Sequence, residues 1–265
     1  LLPQVRSLME SGKSDAADAL MTSEADCQLV AMGARQRWPL IPHPAFDLCI
    51  RHTGIPLQTE KQYRRQLDLE TGEVLTSWYE NGKVTESVFS SREHNVNVVR
   101  LKADEGNKMN LVLSLKETPG REGMHFDHNL DSAFSSVKAE AVSGWLSYRA
   151  GYKYDVGGYE GLARVTVKGG SMTAEGDSLR ITDAEEVLVL IRITPLKEAR
   201  LSVRSSVQKE LSGLPLDYGK LLKPHSRIHG EMFRRMQLDL GCSSDWKTVP
   251  TEKMLSTIHE CGVTP

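Results

Sequence analysis

Glu73-Val-Leu-Thr-Ser-Trp-Tyr-Glu-Asn-Gly-Lys-Val-Thr-Glu-Ser-Val-Phe-Ser90 is the stretch whose reading decides the fold class. Two runs of β-favouring residues flank Asn81-Gly82. That dipeptide is the strongest short-range hairpin signal, because both central residues of a tight type I′ turn need positive φ. Residues 73–80 and 84–90 are therefore expected to pair as antiparallel strands. Moving upstream, 63–69 reads as a strand ending at Thr71-Gly72, and Phe46, Leu48 and Ile50 alternate with Asp47, Cys49 and Arg51. Such a period of two marks a half-buried strand.

Downstream, strands are expected at 95–102 and 109–115, around the polar turn Asp104-Glu105-Gly106-Asn107. Residues 117–131, rich in Gly, His and charge, read as a long loop. Strand signals resume at 137–141, 144–149, 162–167, 178–181 and 186–194, with Gly169-Gly170 and Glu175-Gly176-Asp177 as turns. Many short strands at regular spacing favour a sandwich or barrel over a parallel sheet. The longest apolar run, Val187-Leu-Val-Leu-Ile191, has strand length. It falls far short of the roughly 20 residues a membrane helix requires.

The two ends read as helical. Leu2, Val5, Leu8 and Met9 recur at helical spacing behind an early Pro3, Gly12 breaks the pattern, and Ser14 is read as the cap of a second short helix carrying Ala17, Leu20 and Met21. A passage with Pro39, Pro42 and Pro44 is expected to be irregular. Beyond Thr194 a helix is expected over 196–211. A better one is expected over 225–240, opening after Pro224 and closing at Gly241, with Ile228, Met232, Met236 and Leu240 along one face and Phe233 beside them. Another helix start stands near Thr251. The chain opens at Leu1 without an initiator Met and stops just past that start, so it is expected to be a piece of a longer protein.

With 265 residues, 39% hydrophobic, 26% charged and a net charge of −2, the composition is that of an ordinary globular protein. The charge balance argues against nucleic acid as a partner, because neutralising phosphates needs a basic surplus, and Arg64-Arg65 and Arg234-Arg235 are too short to supply one. Cys27, Cys49, Cys242 and Cys261 are scattered without a CxxC, and read as free thiols rather than a disulfide framework or metal site.

Candidate chemistry is sparse. His225 and His229 stand four apart on one helix, a zinc-compatible spacing, but Ser226 occupies the place of the Glu that a metalloprotease needs. A surface or interface pair is the expected reading. His125, Asp127, His128 and Asp131 cluster in the long loop, where solvation is expected rather than metal binding. Ser90-Ser91 with His94 lacks the organisation of a triad. Glu185-Glu186 and Asp104-Glu105 sit in turns, whereas a glycosidase needs two carboxyls facing each other across a cleft. Trp38, Trp78, Tyr79 and Trp145 could stack on sugars, though packing roles are expected for each.

Two segments resemble the N-terminal domain of glycoside hydrolase family 95. The first is Tyr63-Arg-Arg-Gln-Leu-Asp-Leu-Glu-Thr-Gly-Glu-Val74, continuing through the hairpin to Val88-Phe-Ser-Ser-Arg92 and Val96-Asn-Val-Val-Arg-Leu101. The second is the linker pattern filled here by His225, Phe233, Arg235, Leu238, Leu240 and Gly241, followed by Pro250, Thr251 and Leu255. Glu86 departs from the pattern by replacing an Arg, and His229 by replacing an aromatic residue.

The resemblance implies a mainly β (α+β) chain: an antiparallel β-supersandwich over 1–194 with a short helical insert at 1–24, then a helical linker over 195–265 leading into an (α/α)6 catalytic barrel. It implies a parent enzyme that removes terminal α-L-fucose or α-L-galactose from glycans with inversion, outside the cytoplasm. That chemistry lies in the barrel, so no catalytic, cofactor-binding or metal-ligating residue is assigned to this chain. The chain alone is expected to be inactive, with a glycan substrate reached through the barrel and with its own catalytic domain as packing partner. Two alternatives stand beside it. One is the N-domain of a related disaccharide phosphorylase of family 65 or 94; the other is a stand-alone carbohydrate-binding or scaffold module with Trp78 or Trp145 as platform.

Overall fold

Val187 to Ile191 form the middle of β12 (Glu186–Leu196), the strand around which the larger sheet is arranged. The computed structural model describes residues 1–31, 44–53, 63–79, 82–118, 134–153, 155–238 and 249–260, with backbone alone for 24–31 and 257–260. Two units result, Leu1–Pro44 and Ala45–Pro265. The first contains α1 (Leu2–Glu10) and α2 (Ser14–Ala31), in contact with each other across a turn at Gly12. Ser14 is already the first residue of α2 and not its cap: the Lys13 carbonyl accepts the Ala17 amide at 3.1 Å.

In the second unit, every described strand pairing is antiparallel. The order β2 (Arg64–Asp68), β3 (Glu73–Tyr79), β4 (Lys83–Ser91), β5 (Val96–Ala103), β12, β9 (Gly158–Lys168), β8 (Trp145–Tyr152), β7 (Phe134–Val142) makes an eight-stranded sheet. A four-stranded sheet runs β1 (Asp47–His52), β6 (Met109–Lys116), β11 (Ser178–Ala184), β10 (Ser171–Glu175). The fold is a mainly antiparallel β-sandwich with few helices, as the strand spacing predicts.

The two faces of β12 serve two cores. Val187, Val189 and Ile191 point between the sheets, where they meet Leu101, Leu111, Leu113 and Leu146. Leu188 and Leu190 point to the opposite face, with Phe89, Val98 and Leu162. That face is roofed by α3 (Arg204–Ser212) and α4 (Tyr218–Phe233), through Val207, Leu211, Tyr218 and Leu221. A strand buried on both sides must be apolar at consecutive positions, which explains the unbroken run at 187–191. The alternation at 46–51 has the complementary cause. Phe46, Leu48 and Ile50 pack on the inter-sheet core from an edge strand with one buried face.

The hairpin forms, with pairs from Val74↔Val88 to Tyr79↔Lys83. The last described pair is Tyr79↔Lys83, and Glu80 lies outside the described residues. Gly82 adopts φ 136°, outside the type I′ region, and a Cβ there would strike the Asn107 side chain. Asn81 lies outside the described residues. Strand β10 is an addition to the expected set.

The helices also differ from expectation. β12 continues to Leu196, opposite Gly158, and so displaces the helix expected from 196; α3 begins at Arg204. Likewise α4 begins at Tyr218, because Asp217 caps it by accepting the Lys220 amide at 2.9 Å, and it runs through Pro224 to Phe233. An interior proline costs about 3 kcal/mol. Burial of Tyr218 and Leu221, at roughly 1.5–3 kcal/mol for each such side chain, offsets it. The expected apolar stripe is consequently not the buried one: Met232 and Met236 are exposed, while Tyr218, Leu221 and His225 face inward. Leu240 and Gly241 lie outside the described residues. A further helix, α5 (Thr251–Glu260), starts where the sequence placed it.

Leu113 is fully buried between the sheets. Leu113→Ala is expected to cost about 2–5 kcal/mol, seen as a lowered urea midpoint with an unchanged slope.

Candidate functional site

Two turns and one helix meet at a single polar seam on the outer face of the eight-stranded sheet. The turn between β2 and β3 is built by Asp68, whose carboxylate accepts the amides of Glu70 (2.9 Å) and Thr71 (3.0 Å). Gly72 closes that turn at φ +66°, a conformation that side-chain-bearing residues rarely adopt. The turn between β4 and β5 is held by Ser91, whose carbonyl accepts the Asn95 amide (3.0 Å) and whose Oγ accepts the His94 amide (3.2 Å). An open cleft of about 540 Å³ lies here, lined by Gly72, Ser90, Ser91, Arg92, His225 and His229.

α4 supplies the two histidines. His225, only 2% exposed, stacks on Phe89 with ring centroids 4.9 Å apart. Its Nδ1 accepts the Arg92 amide at 3.2 Å, and its Nε2 is 2.8 Å from the Thr71 carbonyl. His229, one turn on, accepts from Arg92 Nε at 3.2 Å through Nδ1 and lies 3.0 Å from the Leu69 carbonyl through Nε2. Burial pushes the His225 pKa down, opposed by its bond to the Thr71 carbonyl. Under the first turn of α4, Tyr218 donates its hydroxyl to Glu73, and the Arg100 guanidinium sits 3.8 Å from the centre of the Tyr218 ring. Burial, then the Glu73 bond, pushes the Tyr218 hydroxyl pKa well up.

α3 is secured by a different device. Glu160, 6% exposed in β9, accepts the Ser202 hydroxyl at 3.0 Å and the Val203 amide at 2.8 Å, just ahead of the helix. At its far end Arg164 donates to the carbonyls of Leu211 (2.8 Å) and Ser212 (3.1 Å). Sequence reasoning missed Glu160. Its signal is a lone charge inside Gly158-Tyr-Glu-Gly-Leu-Ala163.

The other candidates separate. His225 and His229 are brought together as an internal interface pair, with His225 buried and not on the surface. Ser90 Oγ donates to Asn97 (2.6 Å), and Ser91 holds a turn, so neither is organised with His94 as a triad. Glu186 pairs with Lys168 at 2.6 Å. Glu86, which stands in place of the resemblance's Arg, has its pKa pushed up by burial, with His52 and Arg65 opposing. Trp78 is 8% exposed and belongs to the inter-sheet core, and Trp145 packs partly buried against the helix-covered core. Trp78 thus packs as expected, and core packing hides the ring that the alternative platform role would need. His125, Asp127, His128, Asp131 and Trp38 lie outside the described residues. Cys49 is a free thiol, and the side chains of Cys27, Cys242 and Cys261 are not among those described. Among the described residues no group of three or more metal-ligating side chains converges, and no helix is long and apolar enough to cross a membrane.

Fold and seam together define an antiparallel β-sandwich domain with helices fastened to the outer face of its larger sheet. The chain belongs to the family described as glycosyl hydrolase family 65, N-terminal domain, whose model matches residues 1–195. Among solved structures it is similar to a protein provisionally designated kojibiose phosphorylase, from the human microbiome, at 11% identity and a TM-score of 0.49. That likeness covers 72% of this chain and 28% of the other, so the chain spans little more than a quarter of the length of the structure it matches. No match to a curated protein was found. The family match does not reach as far as family 95 or fucosidase chemistry, which it does not support.

Gly72 combines positive φ with a Cβ position 3.1 Å from the His229 ring. Gly72→Ala is expected to destabilise the chain by about 1–2 kcal/mol, measured by urea unfolding. It should also move the His229 ring resonances in an NMR spectrum.

Proposed function

We propose that this chain is the non-catalytic N-terminal domain of a glycoside-processing enzyme of the family 65 kind, with phosphorolysis of a disaccharide as the parent reaction. The observation that carries the reading is the family match across 1–195. Phosphorolysis by a similar sandwich and helical barrel is the alternative that stands beside hydrolysis on the sequence. On this reading the bond-breaking groups belong to a helical catalytic domain, and this domain supports it. The partners are then an oligosaccharide substrate and the catalytic domain of the same protein, and the enzyme acts outside the cytoplasm.

A second reading, inverting hydrolysis of terminal α-L-fucose or α-L-galactose, is favoured by the ordered motifs at 63–101 and 225–255. The two differ in the acceptor at the anomeric carbon, phosphate or water. A stand-alone sugar-binding module is less favoured, because Trp78 packs in the inter-sheet core.

The test compares this chain with a version extended several hundred residues past Pro265, on α-linked disaccharides with and without inorganic phosphate and on aryl α-L-fucoside and α-L-galactoside. The longer protein is expected to release a sugar phosphate only when phosphate is present, while this chain shows no turnover. Phosphate-independent release from the fucoside or galactoside would instead establish the hydrolase reading. Turnover by this chain alone would overturn both. Trp145→Ala is expected to leave retention of this chain on immobilised glycans unchanged, and a clear loss would revive the binding-module reading.

A further inference from the structure

Both histidines of the seam are held in one protonation state by the same residue. An amide N–H and a guanidinium N–H can only donate, so the Nδ1 atoms that face Arg92 N and Arg92 Nε, each at 3.2 Å, carry no proton. A carbonyl can only accept, so each Nε2 donates, His225 to Thr71 at 2.8 Å and His229 to Leu69 at 3.0 Å. Both rings are thus neutral Nε2–H tautomers, stacked 5.5 Å apart, bridging α4 to the turn after β2 and the turn after β4. We propose that His225 is a proton-operated latch, with His229 beside it as a second fastening: a proton added at His225 Nδ1 sets N–H against N–H at Arg92 and frees the second half of α4 from both turns.

The surrounding charges favour release once a proton arrives. From the turn after β2, the Asp68 carboxylate is occupied by two backbone amides, Glu70 pairs with Arg234 just past the end of α4, and Glu73 accepts the Tyr218 hydroxyl. From the turn after β4, Arg92 points its cation at His229, with Glu93 and His94 following it in the chain. Arg100 of β5 is spent on the Tyr218 ring and on Ser87. An imidazolium at His225 beside the Arg92 cation would place two positive charges in one cleft, opposed by Glu73. The direction follows from linkage. A released histidine takes up its proton near the ordinary value of about 6.5, and latched His225 does so lower, because burial disfavours its charge. The latch therefore contributes fully above about pH 6.5 and weakens as pH falls from there toward the lowered value.

Hydrogen exchange of the full chain, corrected for intrinsic rates, tests this from pH 8 to pH 5. Protection of α4 amides is expected to fall by up to about tenfold per pH unit below about pH 6.5 as His225 takes up its proton. In H225Q the slope of α4 protection with pH should flatten, whatever its absolute level. A variant that is merely less stable would keep the slope and so is told apart from one that has lost the latch. Level α4 protection in the parent chain, a slope retained in H225Q, or an Nδ1–H signal on His225 at pH 8 would overturn the proposal.

Discussion

The structure depends on one constraint, which is that the middle of its larger sheet is buried on both faces. The smaller sheet covers one side and α3 with α4 covers the other, so residues 187–191 of the central strand offer water no face. Burying side chains on both sides of one strand doubles the apolar area removed from water per residue ordered. It also removes any position where a polar residue could sit without a partner. β12 meets that demand with five consecutive apolar residues. The polar groups of this layer are pushed to its margins, where each acquires a defined task.

Those tasks consist mostly of fastening helices to a sheet. Glu160 ties down the approach to α3, Arg164 closes its end, and Arg192 pairs with Glu210 at 2.8 Å. Tyr218, His225 and His229 do the same for α4, whose first turn Asp217 caps. Buried polar groups of this kind contribute modestly when satisfied and cost much more when one partner is removed. The seam therefore specifies where the helices lie more than it adds to stability. It is also the place where the surroundings, through pH, can reach the packing.

The sequence disclosed what is local. The hairpin at 73–90, the alternation at 46–51, the Gly169-Gly170 turn and the helix start at Thr251 are each written within a few residues, and each forms. What is set by distant partners was hidden. Nothing near Asp47 names β6 as its partner, and nothing in 187–191 says which strands flank it. β10 escaped notice because Ser171-Met-Thr-Ala-Glu175 is short and polar, as an exposed edge strand can be. The pattern at 225–240 places the helix start after Pro224, whereas Asp217, seven residues before that proline, holds the cap and the helix runs through it. The histidine pair was visible at its four-residue spacing. Its meaning was not, because Arg92 reaches both rings only through the geometry of a turn more than 130 positions away in the chain.

The position of β12 also bears on the order of events during synthesis. Among the described strands, the one at the centre of the large sheet comes last in sequence, and its partners β5 and β9 are not paired with each other. Strands β2 to β5 can form a meander as they emerge, and β7 to β9 another, each with its neighbours already at hand. Neither can join the other until residues 186–196 leave the ribosome. Two half-sheets with one raw edge apiece must wait for the piece that closes them. Such a topology is slow by nature and leaves adhesive edges open meanwhile.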